Sequence, residues 1–505
     1  MLACTTERYA EGIALAEQVL AQHPDNVQAL STLADALHVQ ENMPDAVAAF
    51  ERAVKLAPRD ASLRSRLGTA LLDIGRVAEA ETAYRQSIAL ADHVAQSHFN
   101  HAVALSRLDR TPEAIAAYRR AIALDPRHVA SHLNLGNVLT DQDQFDDAID
   151  LYRTAIALDP EFAKAYSSLA EVLKEEGRLD EALEANRKAV ALASCDDNQR
   201  FNYAVALLME GDYEAGWPAY EVRGKARIFP IPEWRGERLA GRTLLLHAEQ
   251  GLGDTLQFAR FVEHLLEPGV SIVIECQKPL AGLLQSLGPV RVVSQGEPLP
   301  PFDSHLPLMS LPNVLGTRLD TIPAAVPYLA ADPAKIARWK ARIGQTTDLA
   351  VGVVWSGNPG HKFDRRRSIA AAAILPDLVM PGVRLFSLQK DPRAEDIATL
   401  EAMAADITDL SPSLNDFSDT AASLEALDLV IAVDTSTAHL AGALGRPIWL
   451  MLPYALDWRW LRDREDSPWY PTMRLFRQST PRVWADVIGR IRAELSVFSA
   501  GSLRD

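Results

Sequence analysis

The sequence predicts an α-helical solenoid followed by an α/β region made of two doubly wound, Rossmann-like halves. Helical segments rich in alanine and leucine recur every 34 residues up to about residue 196, and short Val/Ile/Leu strands alternate with helices after about residue 240. The hydrophobic content of 48% and the charged content of 23% are typical of a globular chain with a large core. The predicted regions are a solenoid at 1–222, a linker at 223–240, and two halves at 241–330 and 340–495.

The charge and the cysteine content argue against several classes of protein. A net charge of −16 argues against bulk nucleic-acid binding, which depends on neutralising phosphates, although it leaves room for one local anion site. Cys4, Cys195 and Cys276 are scattered, so they predict neither a disulfide framework nor a zinc motif, and they fit a reducing compartment. Because no apolar run approaches roughly 18 residues, no transmembrane segment is expected.

The first half of the chain repeats the same residue types at the same spacing. A proline, or in one unit Asp92, closes each helical pattern, at positions 24, 58, 92, 126 and 160. Each unit also carries a small residue followed four positions later by an aromatic one, as in Ala46 and Phe50, Ala80 and Tyr84, Ala114 and Tyr118, and Ala148 and Tyr152. A small residue lets two helices approach closely, and the ring fills the gap between repeats.

These positions resemble those of tetratricopeptide repeats (TPRs), with five full units across residues 27–196. A partial unit precedes them, and a degenerate one follows near residues 201–220. A stack of such units curves into a concave groove. We expect this groove to bind an extended peptide or a protein partner, with a spacer or an oligomerisation arm as the alternative.

The second half contains hydrophobic strands that do not alternate with polar residues. Strands separated by helices in this way predict parallel sheets covered on both faces. Ligands of open parallel sheets bind at the carboxyl ends of the strands, so the residues that follow each strand are candidate site residues. The predicted strands are 243–248, 270–275, 290–294, 349–355, 383–389, 427–433, 447–452 and 474–478.

A glycine turn, GLGD, follows the first strand. Gly251 and Gly253 allow a tight turn with a close backbone approach, and Asp254 is the candidate catalytic carboxylate. The alternative is that Asp254 caps the following helix, with Gln257 completing a capping box. The turn also resembles a dinucleotide fingerprint, GxGxxG, but Leu256 stands where the third glycine belongs.

A basic loop, SGNPGHKFDRRRS, follows the first strand of the second half. Its Lys362, Arg365, Arg366 and Arg367 are unusual in an acidic protein, and such groups suit a diphosphate. Gln389 and Lys390 follow the next strand and are candidates for the same donor site. A solvated basic loop is the alternative.

A hydroxyl run follows the strand at 427–433. Asp434 ends that strand, and the next three residues supply hydroxyl groups and an N-cap to a helix that contains His439. Hydroxyl groups, helix amides and the helix dipole form a cradle for an anion. Helix capping is the alternative for the hydroxyl residues, and a core position is the alternative for His439. The hydroxyl residues are Thr435, Ser436 and Thr437.

An aromatic cluster follows the strand at 447–452. Its rings could stack on a sugar or a base, or they could pack between the two halves, and the sequence leaves both open. The cluster consists of Trp458, Trp460, Trp469 and Tyr470, with Arg459 among them.

Three of these stretches together resemble the family 9 glycosyltransferases of the ADP-heptose:lipopolysaccharide heptosyltransferase type, and in particular the bacterial branch that carries TPRs in front. The stretches are GLGD at 251–254, SGNPGHKFDRRRS at 356–368 and VDTSTAHLAGALGRP at 433–447, and the resemblance spans about residues 240–495. It implies a GT-B fold, a nucleotide-diphosphate sugar donor bound by the second half, and Asp254 as the general base. It also implies that the basic loop contacts the donor phosphates and that Asp434, Thr435 and His439 line the donor site. Ser436 departs from the glycine that the family usually carries after Asp-Thr.

We therefore expect an inverting, metal-independent transfer of a sugar to a protein or glycan hydroxyl, with no cofactor besides the donor. The repeats would recruit the acceptor or a partner. The expected location is the cytoplasm, and peripheral membrane association through a glycan assembly complex is compatible with the sequence. The alternatives are a non-catalytic TPR scaffold with a relic nucleotide-binding fold, and a nicotinamide oxidoreductase.

Overall fold

The computed structural model describes residues 2–224, 227–360, 364–455 and 457–502. The chain divides into two compact units, Met1–Val172 and Leu173–Asp505. Within the described residues, the first unit contains helices joined by turns, and the second contains two parallel sheets together with further helices.

The helices up to the unit boundary are joined by short turns. They are α1 (Leu2–Gln22), α2 (Val27–Val39), α3 (Met43–Leu56), α4 (Ala61–Asp73), α5 (Val77–Leu90), α6 (Ala95–Arg107), α7 (Thr111–Leu124), α8 (Val129–Asp141), α9 (Phe145–Leu158) and α10 (Ala163–Glu175). Local residues begin them: Asn26 and Asp60 cap α2 and α4 by accepting a hydrogen bond from the main-chain amide three positions on.

The period of 34 residues appears in the backbone as well as in the sequence. A residue with a positive φ ends the first helix of each pair and lets the chain turn back. These residues are Glu41, Gly75, Asp109, Asp143, Gly177 and Gly211, with φ between 57° and 80° and a spacing of 34. The predicted helix–turn–helix repeat is confirmed, and the degenerate last unit forms a helix pair as well.

The small and aromatic positions of the repeat are buried as predicted. Ala148 is 0% exposed, and the ring of Tyr152 is 1% exposed. This ring lies so close to Gly136 of α8 that a Cβ atom there would be 2.6 Å from Cε1 of Tyr152. The tyrosine hydroxyl is hydrogen-bonded to Thr140 and to Asn137, at 3.0 and 2.8 Å, so the ring cannot easily move away.

The last three repeat helices belong to the second unit. They are α11 (Leu179–Leu192), α12 (Asp197–Met209) and α13 (Tyr213–Tyr220). Leu208, Tyr213 and Trp217 share a core with the first sheet. The repeat pattern therefore extends beyond the end of the first compact unit. The last three helices keep the repeat geometry, but they bury their apolar faces against the α/β region and belong to the second unit.

The first sheet has four parallel strands in the order β3-β2-β1-β4. They are β1 (Thr243–His247), β2 (Ser271–Cys276), β3 (Val290–Ser294) and β4 (Ser304–Pro307). The sequence analysis missed β4, which is only four residues long and lies in a proline-rich passage. The helices of this half are α14 (Leu252–Phe258), α15 (Ala281–Leu284), α16 (Leu311–Val314) and α17 (Pro333–Ile343).

The second sheet has six parallel strands in the order β10-β9-β8-β5-β6-β7. They are β5 (Leu349–Val354), β6 (Val383–Ser387), β7 (Ile407–Asp409), β8 (Leu429–Val433), β9 (Ile448–Leu452) and β10 (Met473–Arg477). Counted from β5, this is the 3-2-1-4-5-6 order of doubly wound nucleotide-binding sheets. The helices of this half are α18 (Asp364–Arg367), α19 (Ala371–Leu378), α20 (Ala394–Ala402), α21 (Phe417–Leu424), α22 (Ser436–Ala443) and α23 (Ala485–Ser502).

The second sheet is covered on both faces, as predicted. Successive residues of β8 alternate between two separate hydrophobic cores, with Val430 in one and Ile431 in the other. All five residues of β8 are buried. This explains why its sequence is a continuous hydrophobic run.

The contact between Gly136 and Tyr152 gives a test of the repeat packing. Alanine normally stabilises a helix by about 1 kcal/mol relative to glycine. Here we expect Gly136→Ala to lower the free energy of unfolding by about 1 kcal/mol, because overpacking a buried site costs about 1–3 kcal/mol. The measurement is urea unfolding followed by far-ultraviolet circular dichroism.

The matched control is Gly12→Ala in α1, where a new Cβ atom would have no neighbour within 4 Å. This variant should be as stable as the wild type or more stable. Equal stabilisation by both substitutions would contradict the close packing of Tyr152 on Gly136.

Candidate functional site

A cavity of about 1290 Å³ lies in the second unit, where the start of α14 faces the carboxyl ends of the second sheet. It includes the point between β5 and β8 at which the strand order reverses, which is the usual ligand position in doubly wound sheets. Its size is enough for a large ligand, since small-molecule sites are typically about 300–1,000 Å³.

Most of the predicted site residues line this cavity. Lys362 lies outside the described residues. Arg365 is exposed and is not part of the lining, whereas its neighbour Arg366 is. The predicted residues that do line it are Gly251, Gly253, Asp254, Arg367, Gln389, Lys390, Asp434, Thr435, Ser436, Thr437 and His439.

Asp254 occupies the third position of α14 and not its N-cap, which is Gly251. Its Oδ2 accepts a hydrogen bond of 2.9 Å from the main-chain amide of Gly251. The alternative that places Asp254 at the N-cap, with Gln257 completing the capping box, is therefore wrong, because Gly251 is the N-cap and Asp254 is itself the third-position residue of the capping box. This local bond orients the side chain, which is 19% exposed, towards the cavity.

Arg459 joins the glycine turn to the second sheet. Its Nη2 donates to Oδ1 of Asp254, its Nε donates to Gln257 at 2.8 Å, and its Nη1 donates to Asp457 at 3.0 Å. Burial by itself would lower the pKa of this guanidinium, but the charges of Asp457 and Asp254 outweigh it and hold the pKa above its ordinary value. The ring of Trp458 adds a cation–π contact at 4.2 Å.

Gly253 is required by a close approach between α14 and α22. A Cβ atom at this position would be 2.9 Å from Cδ2 of His439. His439 is buried, its Nδ1 is 2.9 Å from the hydroxyl of Tyr470, and its ring stacks on Trp460. Burial, assisted by the charge of Arg459, lowers the pKa of His439 to about 3, so the imidazole is neutral near pH 7.

The hydroxyl run starts α22 at the end of β8. Thr435 is the N-cap, but its side chain makes no capping hydrogen bond. Its Oγ1 is buried and has no hydrogen-bond partner, although the residue lines the cavity. A buried hydroxyl of this kind is available to a polar ligand.

Arg367 of the basic loop points to the end of β8. Its Nη1 donates to the main-chain oxygen of Asp434 at 3.0 Å, and its Nε donates to Asp364 at 3.3 Å. Gly357 lies under this pair, and a Cβ atom there would clash with Oδ1 of Asp364. Arg366 forms an ion pair of 2.8 Å with Glu175 at the end of α10.

Gln389 and Lys390 differ in their roles. Oε1 of Gln389 accepts hydrogen bonds from the amides of Trp355 and Ser356, at 3.2 and 2.9 Å, so this side chain supports the loop after β5. Lys390 is exposed, and its Nζ lies 3.4 Å from the carbonyl of Ser411. Lys390 is therefore the better placed of the two to contact an anion.

Asp434 and Asp457 also line the cavity, and their pKa values are shifted in opposite directions. Burial raises the pKa of Asp434, and the negative charge of Asp457 adds to the effect. Burial also disfavours the charged form of Asp457, but the adjacent Arg459 outweighs it and lowers the pKa of Asp457. Nε1 of Trp460 donates to Oδ2 of Asp434 at 3.0 Å.

The aromatic cluster serves packing. Trp458 is 3% exposed, and the other three residues are 0% exposed. Trp458 and Trp469 also contact Trp217 of α13. Of the two alternatives left by the sequence, packing accounts for these rings, and Trp460 alone among the four also lines the cavity.

The sequence analysis did not identify Asp457, Arg459 or Arg477 as site residues. All three line the cavity, and the first two lie next to the aromatic cluster. Charged residues among tryptophans after a parallel strand are a usable signal for a site, but their partner Asp254 is 205 residues away from Arg459. Arg477 ends β10, and its position at the carboxyl edge of the sheet is the signal that could have identified it.

Profiles of known families match the first part of the chain. Sequence profiles of the tetratricopeptide repeat match residues 3–61, 65–129, 117–150, 136–177 and 163–194. The N-terminal region consists of TPRs. This confirms the prediction for that region and supports a role in protein interaction.

The chain is 30% identical over 334 residues to protein FlbA of Caulobacter vibrioides, across 60% of this chain and 55% of FlbA. It thus spans about half the length of this curated relative. It is also similar to the crystal structure of MamA, at 26% identity and a TM-score of 0.31, over 32% of this chain and 95% of MamA. For YrrB, described as a TPR protein with an unusual peptide-binding site, the identity is 16% and the TM-score 0.31, over 35% of this chain and 91% of YrrB.

None of the helices in the described part of the chain combines the length and the apolar character needed to span a bilayer. Among the same residues, no three His, Cys, Asp or Glu side chains are grouped so that they could hold a metal ion.

The buried His439 predicts a pH dependence of stability. Its pKa is about 3 in the folded chain and 6.5 in the unfolded reference state. Below about pH 6.5 the unfolded chain therefore binds more protons than the folded chain, and stability is lost as the pH falls. Between about pH 6.5 and about pH 5 we expect a loss of roughly 2 kcal/mol from this residue. Urea unfolding followed by tryptophan fluorescence reports on the second unit, because all 9 tryptophans lie there.

His439→Gln should remove most of this loss, whereas the control His264→Gln, at an exposed position, should keep it. The same pH dependence in both variants would contradict a buried neutral imidazole at position 439.

Proposed function

We propose that the chain is a cytoplasmic glycosyltransferase of the GT-B type, which moves a sugar from a nucleotide-diphosphate donor to a hydroxyl of a protein or glycan acceptor. The observation that carries the proposal is one cavity lined by Asp254, by Arg367 of the basic loop and by the hydroxyl run after β8. A base, cationic groups and free hydroxyls on opposite walls are what such a transfer requires.

The second sheet supplies the donor side of this site. Arg367 and Lys390 offer positive charge, and Thr435 offers an unpartnered hydroxyl at the start of α22. These groups suit the two phosphates of a nucleotide sugar, and they stabilise the charge that develops on the leaving diphosphate. Because the cations come from side chains, the proposed transfer needs no metal ion.

The glycine turn supplies the acceptor side. In the proposed reaction, Asp254 takes the proton of the acceptor hydroxyl while its oxygen attacks the anomeric carbon. The bond from that carbon to the phosphate oxygen breaks, and the nucleoside diphosphate leaves. The bonds of Asp254 to Gly251 and Arg459 hold the carboxylate in one orientation for this step.

The TPRs support recruitment of a protein, since stacked repeats present extended binding surfaces. In the proposed enzyme they bring the acceptor, or the machinery that carries it, to the α/β region. A non-catalytic scaffold with the same repeats would bind the partner but no nucleotide sugar.

Binding of the donor can be tested with adjacent arginines of the basic loop. Isothermal titration of the full chain with a panel of nucleotide sugars and nucleoside diphosphates should identify a ligand. Arg367→Gln should weaken its binding about 10-fold or more, because an ionic contact to a phosphate is lost. The control Arg365→Gln, at an exposed position outside the lining, should bind like the wild type. If the wild type binds no member of the panel, the scaffold alternative is favoured.

The role of Asp254 is tested by Asp254→Asn. We expect transfer, followed as release of the nucleoside diphosphate from the bound donor, to fall by about 10²- to 10⁴-fold. Donor affinity should change little, because the residue lies on the acceptor side. The control Asp303→Asn replaces a carboxylate at the opposite end of the first sheet, where it accepts from the amide of Thr243. Wild-type turnover by Asp254→Asn would remove this residue as the base.

A further inference from the structure

Four of the described arginines line the cavity, and they differ in whether a carboxylate pairs with them. Arg366 pairs with Glu175 at 2.8 Å, and Arg367 contacts Asp364 at 3.3 Å. Arg459 contacts both Asp254 and Asp457. Each of these three cations is therefore paired with at least one carboxylate of the protein, although Arg367 shares Asp364 with Arg393.

Arg477 is the exception within the described part of the chain. Its Nε donates to the carbonyl of Arg464 at 3.2 Å, and its Nη2 donates to the carbonyl of Trp460 at 2.5 Å. Its Nη1 is buried without a hydrogen-bond partner, and no described carboxylate forms an ion pair with it. Burial lowers its pKa to about 10, with Asp463 offsetting only part of the effect.

A mostly buried cation without a paired carboxylate is unfavourable, and native proteins usually pair such groups. Through its two carbonyl contacts, Arg477 stabilises the segment at 460–464. These carbonyls supply no negative charge, and Nη1 of the guanidinium is left without a hydrogen-bond partner. An anionic ligand would supply the missing charge, and guanidinium groups suit phosphate oxygens.

The position of Arg477 indicates which part of a ligand it would meet. It ends β10, at the same edge of the second sheet as the hydroxyl run. Trp460 connects the two, because its carbonyl accepts from Arg477 and its Nε1 donates to Asp434 at 3.0 Å. Arg477 thus belongs to the β8–β10 side of the cavity, away from Lys390 at the end of β6.

We propose that Arg477 is an anion-binding residue of the cavity and that it binds a phosphate group of a nucleoside diphosphate. The binding of an anion rests on the missing counter-charge alone, whereas naming the nucleotide rests on the proposed function. The site would have Arg477 at the end of β10, Lys390 after the end of β6, and Arg367 beside the end of β8 between them.

The test is isothermal titration of the full chain with sodium pyrophosphate, and with ADP, GDP, UDP and CDP, in a low-salt buffer. Arg477→Gln removes the charge but keeps an amide that can donate to the carbonyl of Trp460. It should weaken pyrophosphate binding by about 10-fold or more, and Arg477→Lys, which keeps the charge, by less than about 3-fold. Thermal unfolding without ligand checks that both variants are folded.

The matched control is Arg474→Gln on the same strand, because this arginine pairs with Glu494 and is not part of the lining. It should bind pyrophosphate like the wild type. Wild-type affinity in Arg477→Gln, or equal losses in Arg477→Gln and Arg474→Gln, would overturn the inference.

The outcomes for the nucleotides separate this inference from the proposed function. If pyrophosphate binding depends on Arg477 but the chain binds no nucleotide, the anion site is supported and the proposed nucleotide-sugar donor is contradicted. If nucleotide binding does not depend on Arg477, the inference about Arg477 is overturned, but the proposal that the cavity binds a nucleotide sugar is still supported. A wild type that binds neither pyrophosphate nor any nucleotide overturns both.

Discussion

The geometry of the cavity depends on the ion pairs of Arg459. This side chain follows β9 of the second sheet, yet it bonds to Asp254 and Gln257 of α14, which follows the first sheet. Its planar guanidinium can donate to several acceptors at once. Here Asp254 and Gln257 lie in the helix after β1 of the first sheet, and Asp457 lies in the segment after β9 of the second sheet. Removing it would leave the carboxylates of Asp254 and Asp457 without their shared counter-charge. The position of the candidate base relative to the strand ends of the second sheet is therefore fixed by electrostatics and hydrogen bonding together.

A second contact between the same two helices complements this polar one. Gly253 of α14 lies against the ring of His439 in α22, at a distance that leaves no room for a Cβ atom. Because burial keeps the imidazole neutral near pH 7, it can stack on Trp460 without adding a positive charge beside Arg459. A protonated histidine here would repel that guanidinium. The lowered pKa of His439 is thus part of the same arrangement that holds Asp254.

The parts of this structure that could be predicted from sequence are those with a local cause. The strand β8 is a continuous hydrophobic run, and the hydroxyl run after it begins a helix, so both were visible in one stretch. By contrast, β4 and β7 are short and lack that pattern. Arg459 was seen only as a neighbour of tryptophans, because its partner Asp254 is 205 residues away. The missing counter-charge of Arg477 could not be predicted at all, since it depends on which carboxylates the fold brings near.

The last repeat helices have the same backbone geometry as the earlier ones but pack differently. The earlier helices pack against neighbouring repeats, whereas the last ones also pack against the α/β region. Gly177 has the same positive φ as the earlier turns, but here the turn abuts Tyr454, next to the cavity. Arg462 adds ion pairs to Asp180 and Glu210. Exposed pairs of this kind contribute little, about 0–1 kcal/mol each, so the buried faces of Leu208 and Trp217 carry the attachment. Helices with repeat geometry are thus part of the core that supports the cavity, and a change in their packing would be transmitted to the segment that carries Trp458 and Arg459.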